Sequence, residues 1–229
     1  MDKNLTVLYE DNQIVVVLKP QNILSQSDIT KDEDLLSMVK AYIKEKYNKA
    51  GNAFIGLVHR LDRPTGGIMV FARNSKSASR LSLQIKEHLF EKRYLAICEG
   101  SFREKIGTFK NYIKKDEKTN LVKLVPISEQ GAKYAELEYK VLDERDGLSL
   151  VEVKIITGRS HQIRVQLANL KHPLVGDKKY GSKFSACNLA LWAYALDFEH
   201  PTKKSHMKFR ALPPDLEMPW NCFDLKRYV

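Results

Sequence analysis

Residues 59–74 read HRLDRPTGGIMVFARN, a polar loop followed directly by a compact apolar run. The run Ile68 to Ala72 has the length and composition of a short buried strand. Asn74 and Ser75 follow it and favour a helix start, because their side chains can accept hydrogen bonds from the first backbone N–H groups. The helix is expected to extend through His88, with these apolar residues on one face: Ala78, Leu81, Ile85 and Leu89.

Further strands and helices are predicted on both sides of this stretch. Leu5 to Glu10 and Gln13 to Lys19 flank a turn pair, Asp11-Asn12, which is typical of a hairpin. The other predicted elements are a helix over Asp32 to Tyr47, a strand over Arg93 to Cys98, a hairpin over Lys133 to Leu142 and Leu148 to Ile156, and strands from Leu189 to Leu196.

Two segments have a less regular pattern. Ser160 is expected to cap a helix within Thr157 to Leu170, whose spacing leaves Arg164 one step off the inward face. Phe102 to Ser128 is rich in lysine and weak in periodicity, which predicts a partly strand-forming insertion. Because no repeat or interdomain linker is visible, residues 1–229 are expected to form a single domain.

The composition is that of an ordinary globular protein with a basic balance. Hydrophobic residues make up 43% of the 229 residues and charged residues 29%. Lys and Arg number 38 against 28 Asp and Glu, a surplus that favours phosphate-rich partners but does not require them. No apolar leader and no apolar run of membrane-spanning length is visible, so a cytoplasmic location is expected.

Cysteine and histidine spacing argues against metal sites. Cys98, Cys187 and Cys222 are far apart and form no CxxC pair, which predicts neither a disulfide framework nor a zinc site. The six histidines lack ligand spacing such as HExxH, and His59 is assigned no chemistry. The motifs GxxxxGK[ST] and GxGxxG are also missing, so a nucleotide-phosphate cradle is not expected.

The densest set of chemically capable residues is the loop His59 to Gly67. Within it Asp62 is flanked by Arg60 and Arg63. A carboxylate near a guanidinium stays ionised, which suits a nucleophile or a base better than a proton donor. The alternative is an exposed aspartate in a basic turn, because structural ion pairs also perturb carboxylates.

A second polar cluster, TGRSHQIRVQL at 157–167, gathers donors at a predicted helix start. Backbone N–H groups at such an end can hold a phosphate, and Arg159 and Gln162 add side-chain donors. The alternatives are a capped helix with a solvated polar face and, for Arg164, a structural salt bridge. Tyr94 is equally compatible with an aromatic residue packed in the core.

Taken together, these motifs resemble those of the RluA-type family of RNA pseudouridine synthases, in the family's order. HRLDRPTGG is similar to the catalytic HRLDxxTSG loop, and KRYLAICEG at 92–100 is similar to the tyrosine-bearing strand. TGRSHQIRVQLANLKHPLVGDKKYG at 157–181 resembles the long third motif. Leu189 to Pro213 is similar to the closing strands, so the resemblance spans nearly the whole chain.

The resemblance implies a role for each matching residue. Asp62 matches the essential aspartate, Tyr94 the aromatic residue beneath the target base, and Arg164 the basic partner of the carboxylate. Arg60 matches the arginine that occupies the gap left by a flipped base. The other residues expected to contact RNA are Arg63, Thr65, Arg159, His161 and Gln162.

Some features depart from the family pattern. Gly66 stands where the family usually has serine, so a hydroxyl contact there is missing or comes from Thr65. Ser160 replaces the usual threonine. Nothing similar to the family's frequent N-terminal RNA-binding domain precedes the first hairpin, so grip on the substrate is expected from the catalytic domain or from partners.

The resemblance also implies a fold and a reaction. The expected fold is the α+β pseudouridine synthase fold, with a long, mainly antiparallel mixed sheet, flanking helices and a basic active-site cleft. Isomerisation breaks the bond from nitrogen 1 of uracil to the ribose and rejoins the base through carbon 5, so no cofactor and no metal is expected. The expected partner is RNA, ribosomal or transfer, and the chain is expected to act as a monomer away from membranes.

Two rival functions remain open at the level of sequence. A catalytically inactive RNA-binding or assembly factor of the same fold would tolerate replacement of Asp62. A nuclease or base-excising hydrolase would need a second carboxylate, a metal cluster or a histidine pair, and none is evident near Asp62 in sequence. For the synthase itself, Asp62 either attacks the ribose or removes a proton from it.

Overall fold

The computed structural model describes residues 5–30, 32–48, 50–51, 53–184, 186–213 and 218–228. The contacts divide the chain into two compact units, Met1–Glu91 with Tyr194–Ala211 and Lys92–Ala193 with Leu212–Val229. Three α-helices and eleven strands lie in the described ranges, which confirms the α+β class. The strand pairs within each unit are antiparallel, as expected. The single domain stays a prediction.

The first unit is built on the opening hairpin. Its strands are β1 (Val7–Glu10), β2 (Ile14–Lys19), β3 (Gly56–Leu57), β4 (Gly66–Ala72), the end of β10 (Leu191–Glu199) and β11 (His206–Arg210). Asp11 shapes the β1–β2 turn, since its carboxylate accepts hydrogen bonds from the backbone N–H groups of Gln13 and Ile14. The hairpin and the closing strands are therefore confirmed.

Two helices complete this unit, and side chains cap both. Helix α1 (Leu35–Lys46) follows Asp34, whose carboxylate accepts from the Ser37 N–H. Helix α2 (Ser75–Lys86) follows Asn74, the predicted cap. The core consists of apolar residues from strands, helix and the following turn: Ile14, Val16, Ile68, Val70, Ala72, Leu81, Phe90, Leu196 and Phe198.

The second unit contains five strands that pair in the order β5, β9, β8, β6, β7. Their bounds are β5 (Glu91–Glu99), β6 (Ile106–Asp116), β7 (Leu121–Val125), β8 (Lys133–Arg145) and β9 (Leu148–Ile155). The lysine-rich segment expected to be partly strand-forming contains β6 and β7, a hairpin. The predicted hairpin of β8 and β9 is also present, and its turn at Asp146 and Gly147 has positive φ at both residues.

Helix α3 (Gln162–Asn169) packs on β6, β7 and β8, where Val165 joins Ile113, Val122 and Ala135 in a core cluster. The predicted cap at Ser160 is wrong, because the N-cap is His161, in the left-handed region at φ 51° with no side-chain cap bond. The amide oxygen of Gln162 accepts from the backbone N–H of Arg159 and from the Thr157 hydroxyl instead. The side chain of Gln162, the first residue of the helix, thus bonds to groups of the preceding loop.

The sequence predicted neither a membrane-spanning segment nor a disulfide framework. No helix in the described ranges has the length and the apolar composition to cross a membrane. The three cysteines carry free thiols, with Cys98 buried and the other two partly exposed.

Candidate active site

The loop that carries Asp62 connects β3 to β4 in the first unit. The backbone N–H of Thr65 donates to the carbonyl of Asp62 at 3.0 Å, which closes a tight turn around Arg63 and Pro64. The Asp62 side chain lies at intermediate burial between a buried Leu61 and an exposed Arg63. The turn therefore presents a carboxylate at the surface of a well-packed strand.

A buried lysine is hydrogen-bonded to the backbone of this turn. Lys19, at the end of β2, is fully buried, and its ammonium donates to the backbone carbonyls of Pro20, Ile23 and Arg63 at 2.9, 2.6 and 3.0 Å. Burial lowers the pKa of Lys19 to about 7, and the nearby Asp62 carboxylate acts in the opposite direction by favouring the charged ammonium. Lys19 is thus both hydrogen-bonded to the loop and electrostatically coupled to Asp62.

The segment after β2 supports the same loop from another side. The hydroxyl of Ser25 donates to the Leu61 carbonyl at 2.7 Å and accepts from the Leu61 N–H at 3.1 Å. The side-chain amide of Gln21 donates to the Pro64 carbonyl at 3.0 Å. Sequence reasoning missed Lys19, Gln21 and Ser25, and no spacing could have found them, since each partner is more than thirty residues away.

The predicted RNA contacts of the first unit differ in exposure. Arg60 is exposed and makes no ion pair within the described ranges. Arg63 forms an ion pair with Asp32 at 2.8 Å, with both side chains about half exposed. Thr65 is buried, and its hydroxyl has no hydrogen-bond partner among the residues described. These three contacts stay predictions.

His59 has a structural position in the same loop. It is buried, its Nε2 accepts from the backbone N–H of Val70 at 3.1 Å, and its ring packs edge-on against Phe90. These contacts join the loop to β4 and to the core.

In the second unit, Tyr94 lies on β5 opposite Val153 of β9 and is buried. Lys92, two residues earlier, is on the same face of the strand because side chains alternate. Burial lowers the pKa of Lys92 to about 8, and its ammonium lies close to Gly158 of the third motif. Lys92 is a second cationic residue beside a predicted functional segment that sequence reasoning did not single out.

The polar residues before α3 bond largely to their own unit. The Gln162 amide donates to the Glu136 carbonyl at 2.9 Å, in addition to its contacts with the preceding loop. His161 is buried, and its Nδ1 lies 2.9 Å from the Tyr180 hydroxyl. Arg159 is exposed, and its Nε donates to the Tyr134 carbonyl. Contacts of these three residues with RNA stay predictions.

Arg164 is buried on α3, although its spacing suggested a position off the inward face. Its Nε and Nη2 each donate to a carboxylate oxygen of Asp177 at 2.7 Å. Its guanidinium carbon lies 5.1 Å from the ring centre of Tyr180. A buried charge needs such compensation, so this pair explains how a cation is kept inside the unit.

The geometry thus provides an anchored aspartate loop in one unit, and an ordered arginine and a strand tyrosine in the other. No group of three or more possible metal ligands occurs in the part of the chain that the structure describes. Comparison with known families gives a match over most of the chain: the family model described as RNA pseudouridylate synthase matches residues 13–169.

The chain therefore belongs to the RNA pseudouridylate synthase family, and it is an isomerase. An uncharacterized RNA pseudouridine synthase of Aquifex aeolicus is 34% identical over 228 residues, which cover 92% of this chain and 70% of that protein. Ribosomal large subunit pseudouridine synthase D of Borreliella burgdorferi is 32% identical, over 90% of this chain and 64% of that protein.

Solved structures support the same fold. The human protein described as RNA pseudouridylate synthase domain containing 4 has a TM-score of 0.75 at 23% identity, over 91% of this chain and 88% of that one. The human domain containing 1 has a TM-score of 0.73 at 24% identity, over 93% and 85%. At this identity the likeness shows the fold alone, which is the fold expected from the motifs.

Proposed function

We propose that this pseudouridine synthase acts on uridines of structured ribosomal or transfer RNA, with Asp62 as its essential carboxylate. The observation that carries the proposal is the anchoring of the Asp62 turn by Lys19 and Ser25. A reacting group must be held in a narrow range of positions, because a misplacement of about 1 Å can cost a hundredfold in rate. A surface aspartate in an ordinary basic turn would not need a buried ammonium beneath it.

The reaction leaves the composition of the substrate unchanged. The bond between nitrogen 1 and the ribose breaks, the uracil turns, carbon 5 forms the new bond and gives up its proton, and nitrogen 1 gains a proton. Asp62 starts this sequence by attacking the ribose or by removing a proton from it. Tyr94 supports the detached base, and Arg164 supplies the positive charge that the reaction needs near its carboxylate.

The RNA contacts divide by exposure. Arg60, Arg63 and Arg159 are exposed and suit phosphate or base contacts, and Arg60 would fill the space left when the target base is extruded. The Thr65 hydroxyl, buried without a partner among the described residues, keeps its hydrogen-bonding capacity for the target nucleotide. His161 and Gln162 are the remaining proposed RNA contacts, and bonds within the chain hold both side chains in place.

The choice between ribosomal and transfer RNA is based on how two relatives are described. Two of them are described as ribosomal large subunit pseudouridine synthases D and C, of Borreliella burgdorferi and Haemophilus influenzae. We therefore place ribosomal RNA first and transfer RNA second. The protein would meet either as a monomer in the cytoplasm, with no cofactor.

The test is pseudouridine mapping of total RNA from cells that lack this protein, complemented with the natural chain or with Asp62→Asn. The expected result is the loss of a defined pseudouridine that only the natural chain restores. Asp146→Asn is the matched control, since it neutralises an exposed aspartate in the β8–β9 turn, where asparagine tolerates the positive φ.

Each other outcome has a definite meaning. If Asp62→Asn also restores the pseudouridine, the protein is an RNA-binding or assembly factor, in which the carboxylate has no catalytic role. Release of free uracil from RNA would indicate a hydrolase. The RNA in which the site disappears identifies the substrate as ribosomal or transfer RNA.

A further inference from the structure

Arg164 and Asp177 form a closed ion pair inside the second unit. Their side chains are 6% and 1% exposed, and both contacts are 2.7 Å long. Such a two-point contact fixes the plane of the guanidinium as well as its position. It engages Nε and Nη2, so the direction of the third nitrogen, Nη1, is set by where Asp177 stands.

Asp177 itself stands on a backbone that cannot shift easily. Its N–H donates to the Leu174 carbonyl, and its carbonyl accepts from the N–H groups of Tyr180 and Ser182, at 3.0, 3.1 and 3.1 Å. The preceding Gly176 has φ +81°, and a Cβ there would lie 2.4 Å from the Asn188 carbonyl oxygen. The loop is therefore closely packed around the aspartate.

The same segment is tied to β5 and to the segment before β10. The Val175 N–H donates to the Ile97 carbonyl, and the Ala190 N–H donates to the Val175 carbonyl, both at 2.9 Å. Two strand-like contacts thus come within two residues of Asp177. Because its backbone is fixed by these hydrogen bonds, the Asp177 carboxylate is suited to fixing the position of the Arg164 side chain.

The ring of Tyr180 lies beside the guanidinium of Arg164. The Tyr180 hydroxyl accepts from the Val122 N–H at 2.9 Å, so its own proton is available for Nδ1 of His161, also at 2.9 Å. With both hydrogen bonds in place, the tyrosine ring is fixed beside Arg164. The guanidinium is therefore bonded along one edge by Asp177 and lies over the ring of Tyr180.

We propose that Asp177 is a positioning residue of the synthase, which acts through Arg164 by fixing the orientation of its guanidinium. The proposal rests on the proposed function, in which Arg164 takes part in the reaction. In this role Asp177 touches neither the RNA nor the reacting atoms. Its effect should therefore appear in the rate of the chemical step and should depend on Arg164.

The first experiment compares the natural chain with Asp177→Asn in single-turnover reactions, with the enzyme in excess over total RNA from cells lacking the protein. The maximal rate of pseudouridine formation is expected to fall roughly 10- to 100-fold, because asparagine keeps the shape but loses one acceptor oxygen. The enzyme concentration that gives half of this rate should change by less than about twofold, since Asp177 does not contact RNA.

The second experiment asks whether the effect passes through Arg164. Arg164→Met leaves Asp177 as a buried, unpaired charge, so this variant is expected to be inactive and less stable. Adding Asp177→Asn to it should restore much of the thermal stability and none of the activity. Loss of activity that is far from additive is the signature of residues acting as one unit.

A matched control is available in the other unit. Glu10 and Arg73 also form a buried ion pair, with side chains 6% and 7% exposed. Glu10→Gln removes a buried carboxylate charge far from the third motif in sequence. It is expected to lower thermal stability and leave the maximal rate unchanged, which separates loss of a buried charge from loss of positioning.

The outcomes distinguish the positioning role of Asp177 from the proposed function on which it rests. Full activity of Arg164→Met would remove Arg164 from the proposed reaction, and the proposal for Asp177 with it. An inactive Arg164→Met together with a normal rate for Asp177→Asn would overturn the positioning role alone. If Asp177→Asn does not fold, Asp177→Glu keeps the charge but moves the guanidinium, and a normal rate for that variant would likewise overturn it.

Discussion

The Lys19 ammonium donates a 3.0 Å hydrogen bond to the backbone carbonyl of Arg63, the residue directly after Asp62, across 44 positions of sequence. The same ammonium donates to two carbonyls of the segment that follows β2. A single buried side chain therefore joins the end of the opening hairpin to the Asp62 turn.

Replacing Lys19 with methionine should change how stability depends on pH. The pKa of Lys19 is about 7 in the fold, against 10.5 for an ordinary lysine such as that of the unfolded chain. Between these values the unfolded chain binds more protons, so the contribution of Lys19 to the free energy of unfolding rises with pH, by at most about 1.4 kcal/mol per pH unit.

Urea denaturation of the natural chain and Lys19→Met at pH 7, 8 and 9 measures this slope. The free-energy difference between the two proteins should move in favour of the natural chain as the pH rises. Lys76→Met is the control, because Lys76 is exposed and its replacement removes no buried charge. Parallel curves for the natural chain and Lys19→Met would contradict the prediction.

Ser25→Ala should weaken the Asp62 turn. The change removes the hydroxyl that bonds both backbone groups of Leu61 and leaves them buried without those partners. The expected loss of unfolding free energy is about 2 kcal/mol, with a fall in the maximal rate of pseudouridine formation. Ser27→Ala, in an exposed position nearby, should have neither effect. An unchanged rate for Ser25→Ala would show that the turn keeps its geometry without the serine.

Asp32→Asn should strengthen RNA binding. In the free protein the Asp32 carboxylate forms an ion pair with Arg63 and so competes with a phosphate for the same guanidinium. A half-exposed pair is worth about 1 kcal/mol at most, which corresponds to an affinity gain of up to about fivefold at low salt. Filter binding at several salt concentrations measures it, with Arg63→Gln expected to weaken binding. A gain that persists in the Arg63→Gln background would argue against competition.

Gly176→Ala and Gly181→Ala form a matched pair for the loop that presents Asp177. Both glycines have positive φ, but only at Gly176 would a new Cβ meet a backbone oxygen, at 2.4 Å, whereas Gly181 faces open space. Gly181→Ala should cost about 1 kcal/mol from backbone strain, and Gly176→Ala clearly more, with a loss of activity. Thermal or urea denaturation provides the comparison, and equal losses would mean that the loop can move away from Asn188.

Much of the local structure was predictable because it depends on near neighbours. The cap at Asn74, the Asp11 turn and the β8–β9 hairpin all follow from residues within four positions of each other. Ser160 was the exception among the caps, because the residue at the N-cap position is His161, one residue later in the chain. The order of the three motifs along the chain was also sufficient to indicate the family, since motif order is a property of the sequence alone.

The sequence by itself determined most of the secondary structure, the family and the residues that the reaction is proposed to use, since periodicity, capping and motif order are local properties. Only the tertiary structure decided how two of the charged groups are held. Lys19 reaches the Asp62 turn across 44 positions, and Arg164 is buried against Asp177 rather than at a solvated face. The physical reason is that burial of a charge is compensated by partners that the folded chain, not the spacing along it, brings within hydrogen-bonding distance.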